Sequence, residues 1–219
     1  MANKKGEKVD LKQKAYFYIK EKIITGEYEP GQDISEEELQ NEMNISRTPV
    51  REALMRLETE RLISIFPRKG IFVSSITQKM IKNVFQIRKM IEPQVIRIVG
   101  KNISKEWLNE IKDKFNATFE DLSKDETADY YVNLDKEFHS YLINACDNQY
   151  LVNVMNNIFD QNQRMRYQTY DFDERDIATK SEHIMIIDAL LEEDIDKAEA
   201  LMIEHIQNAQ EVSLRYIMI

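Results

Sequence analysis

A mainly α-helical fold in two parts is what this sequence predicts, and three observations predict it. Glycine and proline are scarce, 5 and 4 in 219 residues, which disfavours the many turns of a sandwich or barrel. Apolar residues recur at helical spacing over most of the chain. The interruption lies at residues 62–75, where two short β-type runs, Leu62–Phe66 and Ile71–Ser75, flank Pro67-Arg68-Lys69-Gly70, the composition of a hairpin turn. We therefore expect an N-terminal part over 1–76 that combines helices with a small β-hairpin, and an antiparallel all-α helical bundle over 77–219.

Residues 1–9 are polar and lysine-rich and read as a frayed arm. Leu11–Thr25 makes an amphipathic helix with Ala15, Ile19 and Ile23 on one side, ending near Gly26, and Tyr28-Glu29-Pro30-Gly31 is a turn by its composition. Ser35 followed by Glu38 is a capping-box start, and Leu39 and Met43 give that helix an apolar side. Asn44 suits a left-handed turn residue, and Ser46 offers an N-cap to the next helix. Val50, Leu54 and Leu57 bury one face of this helix, while Arg47 and Arg51, four apart, share another face near its N-terminus. Helix, tight turn, helix and then a hairpin with a basic tip is the order of a winged helix-turn-helix. In such a motif the start of the second helix enters the major groove, where arginine pairs bidentately with guanine. Double-stranded DNA is the expected partner of residues 1–76.

Beyond the short linker Ser74-Ser75-Ile76, Thr77 is placed to cap the first helix of the bundle. Periodicity predicts helices over 77–101, 104–123, 127–146, 149–169, 177–193 and 195–217, separated by breaks short enough to make successive helices antiparallel neighbours. Pro93 falls inside the first of them and is expected to kink it.

The net charge of −9 speaks against nucleic acid until it is divided. Residues 1–76 carry 13 Lys/Arg and 13 Asp/Glu, whereas 77–219 carry 17 and 26. The N-terminal part is neutral overall, with positive charge at the second helix and the hairpin tip, where phosphates can be met. The single cysteine, Cys146, excludes an internal disulfide framework. No apolar run reaches membrane-spanning length and no apolar signal core opens the chain, so no membrane partner is expected and the cytoplasm is the expected location.

All three histidines, His139, His183 and His205, fall in the bundle. Asp135 precedes His139 by four residues and shares its helix face. His183 lies in line with Ile187 and Leu190, and His205 interrupts the apolar stripe of Ala198, Met202, Ala209 and Val212. Each histidine taken alone reads as hydrogen-bonded core. Taken together, three inward imidazoles and a carboxylate form a ligand set for a first-row divalent metal, with positions left for water or a small molecule. Both readings stand at this point, because periodicity does not show that the three helices meet.

The run SRTPVREAL (Ser46–Leu54), followed by LISIFPRKGIFV (Leu62–Val73), resembles the winged helix-turn-helix of GntR-family bacterial transcription regulators. IRKMIEP (Ile87–Pro93), LDKEFHSYL (Leu134–Leu142), SEHIMIIDALLEED (Ser181–Asp194) and AEALMIEHI (Ala198–Ile206) resemble the all-helical effector domain of the FadR subfamily. The resemblance implies a ligand-responsive transcriptional regulator, a repressor more often than an activator, that binds operator DNA as a homodimer. It implies DNA contacts by Arg47, Thr48 and Arg51 and by the wing tip Arg68, Lys69 and Gly70. It also implies a divalent metal held by Asp135, His139, His183 and His205, with zinc expected and nickel or manganese as alternatives. A small carboxylate or sugar-acid effector is expected to join the metal, with Arg88 facing it. Two positions depart from the family pattern: Glu37 stands where an arginine often contacts DNA, and Arg61 where glycine is common before the first wing strand.

Two other functions compete with this one. Three histidines and an aspartate could activate water in a metal-dependent hydrolase with a DNA-binding appendage, although no further carboxylate is identifiable beside them as a base. Alternatively, the helical part only dimerises and the histidines are core.

Overall fold

The structure is a computed structural model and describes residues 10–117, 123–169 and 175–217. The expected N-terminal arm and the break at Tyr170–Glu174 lie outside the described residues. The chain divides into two compact units at Ser75/Ile76.

In the first unit, α1 spans Leu11–Thr25, α2 Glu36–Met43 and α3 Arg47–Thr59, followed by the strands β1 (Ile63–Phe66) and β2 (Gly70–Val73). Asp10 caps α1 by accepting the Lys12 N–H, and Gly26 ends it at φ 87°. Ser35 caps α2 through the Glu38 N–H, and Asn44 closes it in the left-handed conformation, which its short polar side chain tolerates. Ser46 stands at the N-cap of α3 but makes no side-chain cap bond. Pro49, at the third helical position, has no N–H to offer it.

The end of α3 is a Schellman motif: Leu62 N–H reaches the Leu57 carbonyl at 3.0 Å and Arg61 N–H the Glu58 carbonyl at 2.9 Å. Arg61 sits there at φ 60°, a conformation glycine adopts more cheaply. That accounts for the departure noted in the sequence: an arginine occupies a glycine position.

The strands pair antiparallel, Ile63 with Val73 through Phe66 with Gly70. A third extended segment completes the sheet: Ile34 N–H donates to Ile71 O at 2.7 Å and Val73 N–H to Gln32 O at 2.9 Å. The sequence reading missed this segment, because three residues are too few to show an alternating pattern. Ile19, Ile23, Leu39, Val50, Leu54, Leu57, Leu62 and Val73 meet in the unit's core.

The second unit is helical: α4 (Gln78–Val99), a 3-10 turn at Gly100–Asn102, α5 (Lys105–Asn116), α6 (Lys124–Asn144), α7 (Gln149–Thr169), α8 (Arg175–Leu191) and α9 (Ile195–Ile217). Thr77 caps α4 through the Met80 N–H, and α4 runs through Pro93 without ending. Gly100 lets the end of α4 approach the α8–α9 junction, since a Cβ there would lie 2.6 Å from Ile195 Cδ1.

Two helix limits differ from expectation by more than two residues. α5 ends at Asn116, where Ala117 turns non-helical at ψ 138° and its carbonyl accepts the Tyr131 hydroxyl at 2.7 Å; the expected continuation over 118–122 lies outside the described residues. α6 starts at Lys124, three residues early, because Ser123 and Glu126 form a capping box. α4 packs on α9, α8 on α9 and α5, and α6 on α7 and α4, around a core that includes Phe85, Ile96, Phe115, Phe138, Phe159 and Ile187.

Candidate functional site

In the first unit the candidate DNA-reading residues lie on an exposed surface. Arg47, Thr48 and Arg51 are exposed on α3, opposite the buried Val50, Ala53, Leu54 and Leu57. The two arginines are not free: Arg47 Nε donates to Glu36 Oε2 at 3.0 Å, and Arg51 Nε to both Glu36 oxygens at 3.1 Å. Glu36 opens α2, and sequence reasoning passed over it as one of three adjacent acids. Of these, Glu37 and Glu38 are exposed and only Glu36 turns toward α3.

The hairpin tip is a tight turn. Lys69 N–H bonds to the Phe66 carbonyl at 3.0 Å, and Arg68 holds φ 66°. Proline second and a left-handed third residue are the features of a type II turn. At Gly70, φ 124° is a conformation that side-chain-bearing residues rarely adopt, and a Cβ there would come within 2.9 Å of Asp33 Oδ1, which would have to shift. Arg68 and Lys69 project as exposed cations.

In the second unit, Asp135 and His139 of α6, His183 of α8 and His205 of α9 are all buried, and one ligand atom from each lies within 4.8 Å of the others. His139 Nε2 is 3.2 Å from His205 Nε2 and 3.3 Å from His183 Nε2. Asp135 Oδ1 lies 3.4 Å from His183 Nε2 and 3.8 Å from His139 Nε2. Ligands about 2.0–2.1 Å from a tetrahedral metal would be spaced by roughly 3.3 Å, so these separations suit one.

The outward ring nitrogens explain why the inward ones converge. His183 Nδ1–H donates to the Thr179 carbonyl at 2.8 Å and His205 Nδ1–H to Glu182 Oε2 at 2.8 Å. His139 Nδ1 lies 2.5 Å from Glu92 Oε2, an ion-pair contact without hydrogen-bond alignment. An acceptor at Nδ1 selects the tautomer whose Nε2 lone pair faces the centre, as metal-binding histidines require. Burial keeps His183 and His205 below the usual imidazole pKa, with the neighbouring histidines pressing His205 further down. Burial would raise Asp135, but Arg166 and the histidines hold its carboxyl well below the usual range.

Glu92 and Glu182 correct the expectation that no further carboxylate lies beside the cluster. Each reaches its histidine from another helix, so spacing along the chain could not reveal it. Arg88 is buried as well. Its Nε bonds to Glu92 Oε1 at 2.6 Å, Nη1 to Asn162 Oδ1 at 2.9 Å, and Nη2 lies 3.2 Å from His139 Nε2. Arg166 Nη1 donates to Asp135 Oδ1 at 2.7 Å. A small cavity beside Asp135 and His183 is lined by Phe115, Tyr131, Arg166, Thr179 and Lys180.

A winged helix-turn-helix joined to a helical unit that buries an Asp-His cluster defines a class of DNA-binding regulators. Residues 11–73 match the bacterial regulatory proteins of the gntR family and residues 83–208 match the FCD domain. This chain belongs to the GntR-family transcription regulators that carry an FCD domain. The HTH-type transcriptional repressor RspR of Escherichia coli K12 is 28% identical over 207 residues, 94% of this chain and 90% of RspR.

Among solved structures, a GntR regulator from Rhodococcus sp. RHA1 matches with a TM-score of 0.76 at 20% identity, covering 93% of this chain and 97% of that one. The Zn2+-bound FCD domain of TM0439 matches with a TM-score of 0.52 at 19% identity, covering 66% of this chain and 98% of that one. At these identities the two structures show likeness of fold alone. Among the described residues, no helix is long and apolar enough to cross a membrane.

Proposed function

We propose that this regulator represses transcription by binding operator DNA as a homodimer, and that a small organic acid adjusts its affinity through a divalent metal in the helical domain. One observation carries the reading: three imidazole Nε2 atoms and a carboxylate converge, while the Nδ1 atoms of His183 and His205 are held by acceptors and that of His139 lies against Glu92. Apolar core histidines have no need of that arrangement. The lone pair of His139 Nε2 lies 3.2 Å from that of His205 and 3.3 Å from that of His183, and such lone pairs are poor neighbours unless something positive lies between them. Asp135, His139, His183 and His205 would hold the ion, which supplies an electrophilic site for an anion. Zinc suits this donor set, is the ion bound by the FCD domain of TM0439, and leads nickel and manganese as the expected metal.

The charges around the cluster favour an anionic effector. Asp135 and the charged groups that touch the four cluster residues, Glu92, Glu182, Arg88 and Arg166, bring three carboxylates and two guanidinium groups. A divalent cation turns that deficit of one into an excess of one. Arg88 Nη2 donates toward the His139 lone pair that a metal would take, so metal binding frees this donor for a carboxylate. Arg166 and Lys180 border the adjoining cavity and give an acid or sugar acid a second cationic edge. The effector acts by preferring one of two states that differ in operator affinity.

The hydrolase alternative fares worse. The two carboxylates nearest the cluster are committed to Nδ1 atoms, which leaves neither to activate a metal-bound water. The family is one of regulators, not enzymes.

Elemental analysis of protein purified without added metal or chelator tests the centre. About one ion per chain is expected in the wild type and a marked loss in His205→Ala. Full occupancy of that variant would remove His205 from the ligand set. A metal-free wild type that takes up no Zn2+ would leave the helical domain as a dimerisation device only. Light scattering should give a dimer mass, and a strict monomer would contradict the homodimer.

A further inference from the structure

We infer that Glu36 is a specificity-determining residue of the DNA reader: it holds the Nε edges of Arg47 and Arg51 so that both guanidinium forks face outward, and it offsets one of their two charges. The inference rests on the proposed reading of Arg47 and Arg51 as DNA contacts.

Three observations carry it. Glu36 is the sole carboxylate partner of either arginine among the described residues, at 3.0 and 3.1 Å. Its side chain is 23% exposed, against 62% and 53% for the arginines, so it lies behind them rather than beside them in solvent. Finally, both bonds use Nε, which leaves the Nη1 and Nη2 donors of each fork available.

An unheld arginine brings about 2 kcal/mol of rotamer entropy that recognition must remove. One carboxylate bonded to two adjacent arginines restrains both and relieves their mutual repulsion. With Nε occupied, the end-on pair Nη1/Nη2 is the fork left to meet guanine O6 and N7. The same carboxylate repels phosphate and so weakens sequence-independent binding, which depends on net positive charge. Glu36 stands at the first helical position of α2, where the helix dipole favours a negative charge, and the arginines hold its carboxyl below the usual range although burial opposes this.

The test uses full-length protein. A duplex is first selected from a random-sequence library with the wild type. Its affinity is then compared with that of a scrambled duplex of equal length, over a series of salt concentrations, for wild type, Glu36→Gln, Glu36→Ala and Arg51→Ala. Glu36→Gln should bind the scrambled duplex about 3- to 10-fold more tightly, with a salt dependence steeper by up to about one ion. Its ratio of selected to scrambled affinity should fall by about tenfold or more.

An unchanged ratio and salt dependence in Glu36→Gln overturn the inference. If Glu36→Ala loses helix content by circular dichroism, Glu36→Gln, which keeps the length and shape of the side chain, decides. Arg51→Ala separates the two levels: an unchanged ratio there overturns the reading of Arg51 as a base contact, on which the inference rests, whereas a reduced ratio with a neutral Glu36→Gln sinks only the role of Glu36.

Discussion

The carboxylate of Glu182 accepts the Nδ1–H of His205 at 2.8 Å and, through its other oxygen, the side-chain amide of Asn208 at 2.8 Å. Glu182 is one residue before His183 and therefore points away from its neighbour's direction, reaching instead the histidine on α9. It donates nothing to the centre of the cluster, yet it sets which nitrogen of His205 faces inward. Outer-shell carboxylates of this kind typically matter 10- to 100-fold in metal affinity. Glu182→Gln is therefore expected to weaken Zn2+ binding by about that factor while keeping all four ligands, measured by competition with a chromophoric chelator. Unchanged affinity would mean that the ring of His205 is fixed by packing alone. Glu92 is a poorer test of the same idea, because its removal also strands the buried guanidinium of Arg88 and would cost about 3–5 kcal/mol of stability.

Acid should destabilise the metal-free helical domain in two stages. His183 and His205 are neutral in the fold because burial holds them below the ordinary imidazole range. Below about pH 6.5 the unfolded chain therefore binds protons that the folded one refuses, and stability falls as pH falls. Asp135 and Glu92 follow. Burial opposes their ionisation, but Arg166 in one case and Arg88 in the other hold them low, Glu92 at about 2. Their contribution is present above the ordinary carboxylate range and is lost as pH drops through the folded values. Urea midpoints read from the single tryptophan, Trp107, which stacks on Tyr141 in this domain, should be flat from pH 8 to 7, decline below about 6.5 and steepen below about 4.5. A midpoint that rises between pH 7 and 5.5 would contradict the neutral state of the two histidines.

Arg61 offers a stabilising change with a stated cause. At φ 60° an arginine pays for a left-handed conformation by roughly 1–2 kcal/mol, of which the extra freedom of glycine in the unfolded chain takes back about 0.4–1. Arg61→Gly should therefore stabilise the first unit by about 0.5–1 kcal/mol. Differential scanning calorimetry of the full chain is the check. A lower unfolding temperature would show that the Arg61 side chain makes contacts worth more than the strain.

The DNA-binding unit was more legible in the sequence than the Asp-His cluster, for physical reasons that particular residues make plain. Local rules delimit α1 at Leu11–Thr25, place Ser35 and Asn44 at the ends of α2, and put Thr77 at the start of α4, because capping depends on residues within one turn. The stripes that point His183 and His205 inward are likewise local. What joins the elements is not. Glu36 meets arginines 11 and 15 positions away, Glu92 meets His139 from another helix, and the strand-like Gln32–Ile34 pairs with β2. Ser123 and Glu126 are a different case. Their capping-box spacing was visible, but the polar run around them read as a break instead of a helix start.

Lys69 and Arg51 should separate two kinds of DNA contact. Lys69 is exposed at a hairpin tip whose backbone is set by Pro67 and Arg68, and a flexible ammonium there is suited to a phosphate rather than a base edge. Lys69→Ala should weaken selected and scrambled duplexes alike and lower the salt slope by about 1. Arg51 is held through Nε on a rigid helix, with a planar fork directed outward, which suits a base. Arg51→Ala should cost about 1–3 kcal/mol on the selected duplex and relax sequence preference at one position of each half-site, with a smaller loss on scrambled DNA. Equal losses on both duplexes would assign Arg51 to the phosphate backbone. The sequence preference would then have to come from Arg47, Thr48 or the shape of the DNA.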